Sequence, residues 1–149
     1  MRESRAARML LDTIGGLRTP DQGTVLLPPS ANVRTVAALP ATHDERTVLQ
    51  ALQAGWTNSQ AVADSTIWAL CAALGMSQDV FSTEHKDTPL SHLALQLSCL
   101  DLYLIGLVRA IGAQPDILLL QAFEGLDGKR GRMVHAVLSN YASGAAPSE

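Results

Sequence analysis

The sequence predicts an α/β fold, rich in helix, with a small sheet. Three observations carry this. Ile117-Leu118-Leu119-Leu120 is a run of four apolar residues that reads as a fully buried strand. Leu97, Leu100, Leu104, Leu107, Val108 and Ile111 recur at three- and four-residue steps, the spacing of one helix face. The 149 residues, 47% apolar and 17% charged, suit one domain with one core rather than a disordered chain.

Taken in order, residues 4–17 suit a helix with Leu10, Leu11, Ile14 and Leu17 on one side, weakened at Gly15-Gly16. Pro20-Asp21-Gln22-Gly23 is a turn, with proline at its favoured early position. Thr24 to Leu27 and Arg34 to Leu39 read as short strands joined by a proline-rich loop. Asp44-Glu45 open a short helix, where carboxylates suit the helix dipole. Val48, Leu49 and Leu52 would face inward from it.

Asn58 or Ser59 can cap a helix running to Leu74 and closed by Gly75. A polar loop follows to Leu90, then a long helix from about Ser91 or Leu97 to Ile111. The strand 117–120 comes next, and a last helix spans about Lys129 to Tyr141. Ala142 to Glu149 is small and polar, the composition of a frayed tail.

A net charge of -3 provides no basic stripe for nucleic acid. Cys71 and Cys99 are too few for a disulfide framework and have no metal-ligand spacing with the four histidines. Both read as small buried apolar residues. The basic start (Arg2, Arg5, Arg8) is not followed by the long apolar core of a signal peptide. Leu93 to Ala113 is the stretch that best suggests a membrane span. Asp101 and Arg109 oppose it, at about 3 kcal/mol each on insertion scales.

The segment from Pro115 to Asp127 holds the frame of a nucleotide-hydrolysing site without its chemistry. A phosphate-handling ATPase ends such a strand in an acid for magnesium, and a second carboxylate polarises water. Here those positions are Gln121 and Ala122. A neutral amide is a poor ligand for a hard cation, and alanine accepts no proton.

In order and interval, the chain resembles an ATP-binding cassette (ABC) ATPase domain over most of its length. Leu17 to Val25 resembles the segment after that family's phosphate-binding helix. Val36-Ala37-Ala38-Leu39-Pro40, with Thr47-Val48-Leu49 and Gly55, resembles the stretch around its Gln loop. Leu97-Ser98, Arg109-Ala110 and Pro115-Asp116 have the spacing of its signature helix and following strand. Gly125-Leu126-Asp127 matches its D-loop. The resemblance implies one domain over residues 1–149, a reduced P-loop-NTPase-like core with a helical subdomain at about 57–112. In it, 117–120 is central and lies beside 34–39.

The departures fall on the chemistry. The phosphate-binding lysine falls at Ala7 and the following hydroxyl at Arg8, with no glycine-rich loop before them. The glutamine of the Gln loop falls at Ala41. Gly-Gly-Gln of the signature falls at Cys99, Leu100 and Asp101, placing a carboxylate where a partner's triphosphate would lie. The strands expected to precede the phosphate loop and to carry a switch histidine are not recognisable, so the sheet is expected to be reduced or completed by another chain. The expectation is a pseudoenzyme: no catalysis, no nucleotide and no cofactor. Its role would be that of a structural subunit. A degenerate transporter half paired with an active ATPase is the alternative.

Its expected partners are other protein subunits, in an assembly that a membrane could also adjoin, and not nucleic acid. The expected partner interface is Leu102, Tyr103 and Ile105, on a second side of the helix after Ser98, with Asp127 at the D-loop position. His43-Asp44-Glu45 and Glu84-His85-Lys86-Asp87 read as solvated loops. Ser98 reads as a helix cap, and Trp56 and Trp68 as core or edge anchors.

Overall fold

The computed structural model describes residues 5–37, 46–56, 64–77, 87–93, 96–121, 126 and 128–144. Helix α1 (Arg5–Ile14) is two-faced, with its apolar side half-buried and Leu10 still 59% exposed. It ends where Gly16 takes φ +75°. Gly16 N–H then donates to the Thr13 carbonyl and Leu17 N–H to that of Asp12, which satisfies two orphan acceptors.

No strand forms at 24–27, where one was expected. Val25, Leu26 and Leu27 are exposed, at 38%, 87% and 37%. The segment lies between Gly23 in a left-handed conformation and the Pro28-Pro29 pair, and no described strand lies alongside to pair with it.

Strand β1 (Val33–Val36) pairs in parallel with β2 (Ile117–Leu120), Val33 opposite Ile117 and Val36 opposite Leu120. The expected adjacency of these segments is therefore present. Ala38 and Leu39 lie outside the described residues. The sheet has two strands among the described residues, so β2 is not central. Nor is it fully buried: only Leu119 is, while its neighbours are half-covered beside an edge that no described strand pairs.

Helix α2 (Val48–Gln53) is closed by a reciprocal cap. Thr47 Oγ1 accepts from Gln50 N–H at 3.2 Å, and Gln50 Oε1 accepts from Thr47 N–H at 3.1 Å. Thr47, rather than an acid, thus opens this helix; Asp44 and Glu45 lie outside the described residues. α3 (Asp64–Ala73) ends as foreseen at Gly75, with φ +76°. Its expected caps, Asn58 and Ser59, lie outside the described residues.

The long helix expected from Ser91 or Leu97 is two elements, the single turn α4 (Leu90–Leu93) and α5 (Cys99–Gly112). A last helix, α6 (Gly128–Ala142), follows β2.

The core is built around α5, against which α2, α3 and β1 pack. Tyr103, Leu104, Leu107 and Val108 are completely buried, together with Val48, Leu52, Ile67 and Leu74 from the surrounding helices. Trp56 and Trp68 sit half-buried against this cluster. Close approach fixes the α2–α5 seam. A Cβ on Gly55 would overlap the Arg109 carbonyl, and one on Gly112 would lie 2.6 Å from the Trp56 indole nitrogen. Among the described residues, no helix is long and apolar enough to cross a membrane.

Candidate functional site

The end of β2 is where the sequence reading placed lost chemistry. Gln121 is 5% exposed and continues the ladder, its N–H donating to the Val36 carbonyl at 3.1 Å. Its side-chain Nε2 donates to Asp12 Oδ1 at 3.1 Å, which ties α1 to the strand end. Its carbonyl accepts from the Tyr103 hydroxyl at 3.1 Å. The side-chain amide at this position is thus held by the Asp12 carboxylate, while the Tyr103 hydroxyl holds the main-chain carbonyl of the same residue. Ala7 and Arg8, the phosphate-binding positions of the resemblance, lie on the exposed side of α1.

Ser98 is the N-cap of α5, as its sequence suggested. Its Oγ accepts from Asp101 N–H at 3.1 Å and donates to Asp101 Oδ2 at 2.6 Å. Asp101 is 4% exposed, and its carboxylate also accepts from the N–H groups of Ser98 and Ser77. The carboxylate is therefore spent on the helix start and on the chain after α3. Cys71 is buried, but Cys99 is exposed, which corrects the expectation for that residue; it sits in the first turn, beyond the core face.

The expected partner face needs revision. Leu102, Tyr103 and Ile105 are 8%, 0% and 3% exposed, and it is this chain's own elements that cover them. A helix apolar on most sides signals burial on most sides; here α2, α3 and β1 supply it without a second polypeptide. Asp127 lies outside the described residues, as do Ala41, Ala122, His43, Asp44, Glu45, Glu84, His85 and Lys86. Asp87 is exposed. Among the described residues, no three His, Cys, Asp or Glu side chains converge as a metal site.

Sequence reading missed one feature. A cleft of about 350 Å³ opens between β1, the end of α2 and the second half of α5. Arg34 and Arg109 line it, with small residues from Ala37, Ala54 and Gly55 to Gly106, Ala110 and Ala113 around them. Asn32 positions Arg34: its Oδ1 accepts from Arg34 Nε at 3.1 Å. Asn32 is itself fixed, its Nδ2 donating to the Ala113 carbonyl at 2.7 Å and its N–H to Asp116 Oδ2 at 2.8 Å. These arginines are 75 positions apart in the chain, so no local pattern could have joined them.

Neither a family profile nor a curated protein sequence matches the chain. Among solved structures, it is similar to a chain of an ABC transporter described as metal-chelate type, in an inward-facing conformation. The TM-score is 0.61 at 21% identity, over 95% of this chain and 56% of that one. This chain therefore spans little more than half the length of the transporter chain. What the likeness shows is a shared fold, broadly α/β.

Proposed function

We propose that the chain is a non-catalytic, ABC-like scaffold that serves as a structural subunit of a larger protein assembly. The observation that carries this reading is the fate of Gln121. Where the resembling family places a magnesium-binding acid, this chain has a buried amide engaged with Asp12. Asp101, at a nucleotide-contacting position of that family, is likewise occupied in capping α5. Groups committed to the fold are not free to hold a metal or a triphosphate.

Exposed apolar surface supports the assembly half of the reading. Leu10, Leu17 and Leu26 are 59%, 71% and 87% exposed on α1 and the segment after it. In this reading another subunit covers them, in place of the interface expected at Leu102, Tyr103 and Ile105.

The second reading, a degenerate half of a transporter that pairs with an active ATPase, draws its support from the similar transporter chain. Affinity purification of the tagged chain from detergent-solubilised cells separates the two. The scaffold reading expects a defined complex without a cassette ATPase, whose composition is lost in a Leu17→Asp/Leu26→Asp variant. A cassette ATPase in stoichiometric amount, with ATP turnover that changes when this chain is removed, would establish the second reading instead.

A further inference from the structure

The cleft beside β1 has the composition of an anion site. Alternation along β1 puts Arg34 on the same face as Val36, which is buried towards α5, and Thr35 on the opposite face beside Gly15. Arg109 reaches the cleft from the last turn of α5, one turn from Gly106 and from Ala113. Among the described residues, neither guanidinium has a carboxylate partner; the ion pair formed there is Arg18 with Asp21, at 3.2 Å.

Two features separate this cleft from an ordinary basic surface. The first is space: Gly and Ala side chains leave about 350 Å³ open, within the range of small-molecule pockets. The second is preorganisation. Asn32 holds Arg34 through Nε, and a chain of hydrogen bonds to Ala113 and Asp116 fixes Asn32 itself. Arg34 is exposed, and this contact restrains its guanidinium at Nε while its outer nitrogens remain available. Less rotamer entropy is then lost when they meet a ligand.

We propose that this cleft binds a small carboxylate- or phosphate-type oxyanion, with Arg34 and Arg109 as its two cationic contacts. Guanidinium forks match carboxylate and phosphate oxygens alike, so the shared chemistry is a compact molecule carrying at least two such oxygens. This goes beyond the scaffold reading and does not depend on it.

Calorimetry of the full chain at low ionic strength tests it, with citrate as the carboxylate probe and inorganic pyrophosphate as the phosphate probe. The expected result is saturable one-site binding of at least one probe. Arg34→Ala and Arg109→Ala should each weaken it by roughly tenfold or more. A third variant, Ala54→Trp, fills the cleft from an exposed rim position and keeps both charges; it should abolish binding as well. Binding of citrate alone or of pyrophosphate alone identifies the source of the oxyanion. Absence of saturable binding to both probes, or binding unchanged in all three variants, overturns the proposal. Such a failure would leave the co-purification results of the assembly reading untouched.

Discussion

The hydroxyl of Tyr103 donates to the main-chain carbonyl of Gln121 at 3.1 Å, joining the middle of α5 to the end of β2 inside the core. Tyr103 is completely buried, so its ring is packing and its hydroxyl is a strut. Tyr103→Phe should cost about 1 kcal/mol, the net worth of one neutral hydrogen bond. Leu102→Asp with Tyr103→Ser should unfold the chain, because a carboxylate then enters a core already weakened by about 3–5 kcal/mol from the lost ring. Urea denaturation of both variants checks this. A double variant that stays folded would mean the face is less enclosed than it is here.

The seam between α2 and α5 depends on a missing side chain. Any Cβ at Gly55 meets the Arg109 carbonyl, a backbone atom that cannot swing aside. Gly55→Ala should destabilise by at least about 1–3 kcal/mol, with a parallel drop in thermal midpoint. Gly16→Ala, by contrast, meets no neighbouring atom and is limited to the strain of its φ of +75°.

The two thiols should behave oppositely. Burial pushes the Cys71 thiol up to about 12, while Cys99 is exposed. A maleimide should therefore label one cysteine in the native protein and both in denaturant. The folded state keeps the Cys71 proton above pH 9, where the unfolded chain releases it. This thiol's contribution to stability is thus intact below pH 9 and is lost as pH rises towards 12. Cys71→Ala should flatten that alkaline decline in a pH series of melts.

Magnesium-ATP should not bind tighter than about 1 mM. The fair titration uses the Arg34→Ala/Arg109→Ala protein, so that heat from the cleft cannot be mistaken for a nucleotide site. A micromolar constant in that variant would remove the pseudoenzyme reading.

Periodicity and local signals made several elements legible. Leu97 to Ile111 repeats at helical spacing and became α5; Ser98 announced its cap, and Gly75 the end of α3. The parallel neighbours β1 and β2 came from the order of motifs. What failed was whatever depended on coverage. Thr24 to Leu27 had strand residues but no partner strand among the described residues. Leu102, Tyr103 and Ile105 declared themselves buried without saying by what. The cleft was illegible because Arg34, Arg109 and the fixing Asn32 meet only after β1 has docked on α5.

The parallel pairing has a kinetic consequence. Asn32 and Asp116 are 84 positions apart, and their hydrogen bond closes the loop containing α2 to α5. Closing so long a loop costs entropy before any ladder bond is made, whereas the helices within it draw on shorter-range contacts. The helical hairpins should condense first and β1 zip onto β2 late. Truncating Leu119 would then mainly quicken unfolding, and truncating Leu104 would slow folding. The sheet would act as the latch of this fold, not its seed.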